Sequence, residues 1–217
     1  MFRFRLNKRW AGFLLLCLGL SLAIPYTQQY LTWRWEQYRL AQAWEKLQAT
    51  QLMPAFPPED APIYHIHTTH TPVTSESPKP VPEIKITYPA PIIAKLAVPR
   101  LGLNEIILDG TSLEILQYAP GHLLASPYPG HPGNAVISAH NDLEFHHLDS
   151  LQTGDLIYIT DSHQKVLTFK VEKTGVLGPK DVLPLQGQQS LLTLSTCYPF
   201  NAYRDTPYRY IVTAHLI

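Results

Sequence analysis

The chain has 217 residues, room for one domain and an appendage at about 150 residues per domain. Lys+Arg and Asp+Glu number 17 each, and this zero net charge excludes a nucleic-acid binder driven by a clustered positive excess. With 45% hydrophobic and 16% charged residues the chain as a whole is not disordered, and its two cysteines, Cys17 and Cys197, exclude a disulfide-rich scaffold and a four-cysteine zinc site.

Residues 10–26 (WAGFLLLCLGLSLAIPY) are seventeen positions without a charge, just enough for a helix that needs roughly 17–25 apolar residues to cross the hydrocarbon. Arg3, Arg5, Lys8 and Arg9 precede or open this stretch, and no acid occurs before Glu36. That asymmetry places the N-terminus in the cytoplasm and the remainder outside the cell membrane, periplasmic or extracellular. Tyr26, Tyr30, Trp33, Trp35 and Tyr38 suit an interfacial aromatic belt in contact with lipid. We therefore expect a cytoplasmic tip and signal anchor over residues 1–30. A cleaved signal peptide is the alternative, with Ser21-Leu22-Ala23 as a weak small-x-small site.

Residues 31–50 continue with helix formers, and Trp33, Leu40, Trp44 and Leu47 fall near one face of a 3.6-residue repeat. This reads as an amphipathic juxtamembrane helix on the bilayer, with a partner-binding helix as the alternative. Residues 51–91 read as a linker, since ten of the 20 prolines lie within 54–91. No apolar face recurs there to offset the entropy of ordering. His65, His67 and His70 form an H-x-H-x-x-H tract in the linker. No Cys, Asp or Glu lies within the tract to complete a metal site, so incidental histidines are the reading, and no metal or cofactor is expected.

From residue 92 the pattern changes to that of a compact β domain, 92–217. Strands are predicted over 92–98 (IIAKLAV), 104–109 (NEIILD) and 134–139 (NAVISA). A helix is predicted over 112–119, capped by Ser112 or Thr111 and stopped by Pro120-Gly121. Residues 155–160 and 165–175 alternate around a short turn at Asp161-Ser162-His163 and read as a hairpin, and 190–197 and 208–216 are the last strands. Seven to eight short strands with few helices imply a mostly β fold, a closed barrel or a sandwich. No G-x-G-x-x-G or Walker A pattern is present.

An anchor and a tether separate Cys17 from Cys197, so a disulfide between them is excluded by distance. A lone exported cysteine is a buried residue, a dimer bridge or a reactive thiol. Cys197 stands where Tyr198-Pro199 ends a strand, His140 ends another, and Arg209 lies in the last strand. A thiol, an imidazole and a fixed cation on three strand ends suit acyl transfer through a thioester. Arg204 competes for the cationic role. Asp142 is a candidate to orient His140 but reads better as a solvated loop acid. His146 and His147 are adjacent and point apart, which argues against a zinc cluster, and His122 reads as structural or groove-lining.

T-L-S-T-C at 193–197, Ala139-His140, and Arg209 twelve residues after the cysteine resemble the signature of the sortases. The likeness extends over 92–217 and includes IAKLAVPRLGLNEIILDGTSLEILQYAPGH, PGNAVISAH, LDSLQTGDLIYI and GPKDVLPL. C-Y-P-F and R-Y-I-V resemble the short single-anchored class D-like and Gram-negative sortases. The chain departs from the family pattern at Ala139, where glycine is usual, and at Asn141, where arginine is common. The resemblance implies a sortase-like closed β-barrel and a cysteine transpeptidase acting on an LPxTG-like C-terminal sorting signal. It further implies Cys197 as nucleophile, His140 as acid and base, and Arg209 on the substrate carbonyl or the oxyanion; Thr196 is read either as bonding the substrate backbone or as a strand-end packing residue. The implied partners are the substrate protein and an amine acceptor on an envelope component, or water. The alternative is a non-catalytic exported β module on a stalk, with Cys197 as a buried small hydrophobe. A metal-dependent hydrolase using the histidines is a third class.

Overall fold

The alternation read over 92–98 builds the first wall of a barrel. In β1 (Ile92–Val98) the side chains of Ala94, Leu96 and Val98 are fully buried, as a strand with one face on a core requires. The structure is a computed structural model that describes residues 8–50, 89–200 and 206–217. The histidine tract at 65–70, most of the expected linker and Arg204 lie outside the described residues.

After β1 come β2 (Leu103–Asp109), a short helix to be called α2 (Leu113–Leu116), and β3 (Gly121–His122). β4 (Gly133–Ser138), β5 (Leu156–Asp161), β6 (Val166–Leu177), β7 (Ser190–Tyr198) and β8 (Tyr208–Leu216) follow. They close into a barrel in the order β1-β2-β3-β4-β7-β8-β6-β5. The β2–β3 and β4–β7 pairs are parallel and the other pairs antiparallel. The barrel interior is filled from every long strand, with Ile107, Ile137, Ile159, Phe169, Leu194 and Val212 among its members.

Local chemistry sets the connections. Asp161 Oδ1 accepts the backbone N–H groups of His163 and Lys165 at 2.8 and 2.9 Å, an Asx turn that fixes the predicted β5–β6 hairpin. The helix expected over 112–119 is shorter, four residues with Ser112 as its cap. The Tyr118 N–H reaches back only three residues, to the Ile115 carbonyl. β3 went unpredicted. It can lie beside β2 because residue 121 is glycine, where a Cβ would stand 2.1 Å from the Gly110 carbonyl oxygen.

The N-terminal portion is one uninterrupted helix, α1 (Lys8–Thr50). Among the described residues no helix is long and apolar enough to cross a membrane. The stripe predicted from Trp33 to Leu47 docks on the chain's own barrel. Leu40 and Trp44 are buried against Ile92, Ile106, Leu108, Ile115 and Ala119, with Leu47 and Tyr118 at the edge. β2 is therefore covered on both faces, Ile107 by the barrel core and Ile106 and Leu108 by the helix. This explains the continuous apolar run in N-E-I-I-L-D.

Leu40→Ala is expected to weaken the docking of α1 by about 2–5 kcal/mol, the range for truncating a fully buried leucine. Amide hydrogen exchange over residues 33–47 measures this, and unchanged protection would contradict it.

Candidate active site

The parallel β4–β7 ladder ends with Ser138 opposite Ser195, and the Ala139 N–H donates to the Ser195 carbonyl at 3.2 Å. Two residues beyond that last rung come His140 after β4 and Cys197 in β7. Across the other edge of β7, Cys197 is the register partner of Arg209 on β8. The three residues thus stand at one level on neighbouring segments. The core takes Ala135, Ile137 and Ala139, Leu192 and Leu194, and Val212 and Ala214. His140, Cys197 and Arg209 are each an odd number of residues from these, so they belong to the outer face. Cys197 is a half-buried free thiol, and Arg209 is exposed.

Short polar contacts fasten the two strand ends together. The buried Thr196 hydroxyl donates to the Ala139 carbonyl at 2.7 Å. That bond commits the Thr196 proton to the residue before His140. The Asn141 amide donates to the Pro199 and Phe200 carbonyls, both at 3.3 Å, tying the turn after the histidine to the turn after the cysteine. The His140 carbonyl accepts the Phe145 N–H at 3.0 Å, closing that turn. Arg209 Nη1 donates to its neighbour carbonyls, Thr206 and, at 2.9 Å, Tyr208. Beside it, Phe200 and Tyr210 meet with ring centroids 5.3 Å apart and Tyr198 completes an aromatic cluster.

His140 also lines a cavity of about 460 Å³ whose opposite wall is α1, through Thr32, Trp33 and Glu36. The indole N–H of Trp33 donates to Glu144 Oε1 at 2.9 Å, and the Gln37 amide donates to the Tyr118 carbonyl. Glu144 is 5% exposed, and its Oε2 has no hydrogen-bond partner among the described residues. Burial pushes its pKa up, against the Trp33 hydrogen bond, which favours the ionised form. Nearby, burial above all and then the Glu144 carboxylate push Glu105 up to about 7, with Arg34 and Lys95 pulling the other way.

The remaining singled-out residues lie elsewhere or alone. Asp142 is exposed on the cavity rim. His146 and His147 are exposed, with rings 4.2 Å apart. Among the described residues no group of three or more His, Cys, Asp or Glu could hold a metal. His122 is 1% exposed and structural: Nδ1 meets Asp109 Oδ1 at 2.9 Å, and Nε2 faces the Pro127 carbonyl at 3.0 Å. Tyr128 stacks on its ring and donates to Asp109 Oδ2 at 2.8 Å. The phenol is held above its usual range, by burial first and then by that hydrogen bond.

A family model of the sortase domain matches residues 96–217. The chain belongs to the sortase family. Sortase D of Bacillus subtilis (strain 168) is 32% identical over 119 residues, 54% of this chain and 60% of that protein, so the match spans less than two thirds of the relative. The structure of a Clostridium perfringens sortase D5 transpeptidase aligns with a TM-score of 0.52 at 30% identity, over 58% of this chain and 79% of that one. A Clostridium perfringens sortase C solved with the C-terminal cell wall sorting motif aligns with a TM-score of 0.53 at 28% identity, over 59% and 71%. Both likenesses agree with the eight-stranded closed barrel.

Within this sortase the departure at Asn141 has a local use, since its amide pins the segment that follows Cys197. The sequence reading overlooked Trp33, Tyr118 and Glu144 as neighbours of His140. The apolar stripe on the helix marked Trp33 as facing something, but no spacing connects residue 33 to residue 144.

A carboxyl whose folded pKa stands above its unfolded value costs stability as pH rises between the two, here from 4.5 to about 7 for Glu105, and no further above that. Glu105→Gln is expected to raise the Tm at pH 8 by several degrees and to match the parent at pH 4. Thermal unfolding at both pH values measures the difference; an equal gain at both would assign it to another cause.

Proposed function

We propose that this chain is a membrane-anchored cysteine transpeptidase that cleaves an LPxTG-like C-terminal sorting signal and transfers the acyl group to an amine. The observation that carries the reading is the shared level of His140, Cys197 and Arg209 on three neighbouring segments of the barrel. The family match adds weight, as does the sortase C solved with a sorting motif.

In the proposed reaction Cys197 Sγ attacks the scissile carbonyl carbon and forms a C–S bond. Arg209 holds the developing oxyanion, a contribution of about 3–4 kcal/mol for one well-placed donor. The imidazolium of His140 gives its proton to the leaving nitrogen. The C–N bond breaks, and the thiol proton completes the departing ammonium. The thioester then meets a second amine. His140 takes one proton from the incoming ammonium, the nitrogen lone pair forms the new amide as the C–S electron pair returns to Sγ, and the second nitrogen proton passes to Sγ to restore the thiol. Water in place of the amine gives hydrolysis. Thr196 acts through the Ala139 carbonyl by keeping the His140 segment beside the Cys197 strand.

The anchor rests on the seventeen uncharged positions at 10–26 and the basic residues at and before their edge. Residues 1–30 are read as the anchor, 31–50 as the juxtamembrane helix, 51–91 as the linker and 92–217 as the catalytic barrel. That division places the barrel outside the membrane.

Incubating the full chain with an LPxTG peptide should add the mass of the acyl fragment to Cys197, and Cys197→Ala should show none. A peptide cleaved equally well by Cys197→Ala would sink the reading, while no adduct and slow alkylation of Cys197 would favour a non-catalytic β module. Arg209→Ala is expected to lower kcat/KM by roughly 10²–10³, the loss on removing one oxyanion donor, measured as the rate of peptide cleavage.

A further inference from the structure

No ladder sets the separation of His140 from Cys197. The last backbone bond between their segments runs from the Ala139 N–H to the Ser195 carbonyl. Past it β4 has ended, and β7 continues to Tyr198 paired, among the described residues, with β8 alone. The edge of β7 that faces the His140 turn therefore has no rung where the thiol stands.

Two side-chain bonds cross this gap. One joins the Thr196 hydroxyl to the Ala139 carbonyl at 2.7 Å. The other is made by the Asn141 amide, whose Nδ2 donates to the Pro199 and Phe200 carbonyls, both at 3.3 Å. Together they bracket the pair. Ala139 and Asn141 stand on either side of the imidazole, and Thr196 and Pro199-Phe200 stand on either side of the thiol. A single bond between two segments lets them pivot about it, and a second bond on the far side removes that freedom. Asn141 supplies the second. Its amide has two N–H donors for two carbonyls, and the residue is only 9% exposed, a setting in which a hydrogen bond is stronger than in water. Pro199 has no N–H to continue a ladder, so this stretch offers acceptors that need a donor from across the gap. Phe200 carries the restraint further. Its ring meets that of Tyr210 at 5.3 Å, and Tyr210 adjoins Arg209 on β8 and is the register partner of Thr196.

We propose that Asn141 is a positioning residue for acyl transfer, holding the His140 imidazole at its working distance from the Cys197 thiol. The inference rests on the reading of Cys197 and His140 given above. The proton must reach the leaving nitrogen while Sγ forms the C–S bond, and the same ring must serve the incoming amine. Both steps use one spacing between ring and thiol. Holding the substrate does not use it, so loss of the Asn141 bonds falls on kcat and leaves KM in place.

Variants of the full chain test this, assayed below their measured unfolding temperatures. Asn141→Ala and the isosteric Asn141→Asp, whose carboxylate has no N–H, are each expected to lower kcat for sorting-peptide cleavage roughly 10–100-fold, the cost of misplacing a catalytic group by up to about 1 Å. KM should stay within about twofold of the parent. Asn141→Gln keeps the amide and should recover part of the loss. Unchanged kcat in the first two variants, a raised KM at constant kcat, or a Gln variant as slow as the Asp one would overturn the positioning role. Alkylation of Cys197 by iodoacetamide needs no sorting peptide. A neighbouring imidazolium favours the reactive thiolate, so Asn141→Ala should slow alkylation at pH 7 severalfold. In a His140→Ala background the same substitution should change nothing, because its effect runs through the ring. An equal change in both backgrounds, or none in either, would overturn the proposal. If the parent cleaves no sorting peptide, the transpeptidase reading fails, and the alkylation cycle still decides whether Asn141 sets the ring beside the thiol.

Discussion

β4 and β7 run side by side in parallel, and the candidate site depends on that pairing. Parallel neighbours point the same way, so both strands end at one rim of the barrel, and the residues just past their ends come out level. Antiparallel pairing of β7 with β8 then sets Arg209 opposite Cys197. Side-chain alternation does the rest, because a strand that commits every second residue to a filled core has no choice about the others. A slip of one residue in either ladder would turn Cys197 into the barrel interior. The hydroxyl of Thr196 and the amide of Asn141 guard the register where the ladder itself has stopped.

The second organising contact is between α1 and β2. A strand sandwiched between a barrel core and a helix has no solvent face, and its three consecutive buried residues Ile106, Ile107 and Leu108 reflect this. The helix also shields carboxyl groups. Burial raises the pKa values of Glu144 and Glu105, against the Trp33 hydrogen bond at the first and the Arg34 charge at the second. Docking the helix therefore trades apolar burial against the desolvation of two acids, and the balance depends on whether those acids carry protons.

Much of the barrel was legible because its strands obey a two-residue period and its turns carry Asp, Gly or Pro. The last strand, 208–216, and the first, 92–98, were read at their observed bounds. β3 was not legible: two residues hold no period, and the absence of a Cβ at Gly121 matters only once Gly110 is beside it. The motif residues Cys197, His140 and Arg209 stood out at strand ends, yet their common level follows from register, which sequence spacing does not show. The stripe on α1 was visible while its partner was not, since lipid and a barrel wall are equally apolar to a leucine. The Asp109–His122–Tyr128 cluster was invisible for the same reason as register. It forms across the short parallel β2–β3 pair and the loop beyond it.

The parallel β4–β7 pair has a consequence for how the molecule comes into being. Val136 pairs with Thr193, and β1 closes the barrel by pairing Ala94 with Asp161. Contacts between such distant stretches of chain form late, because the entropy of closing long loops is lost before the contacts repay it. The hairpin of β5 and β6 can form early and alone, but the thiol and the imidazole meet only when the circuit of strands is complete. A partly folded chain thus carries a cysteine with no histidine beside it. Assembly of the nucleophile's surroundings doubles as a checkpoint on the closure of the barrel.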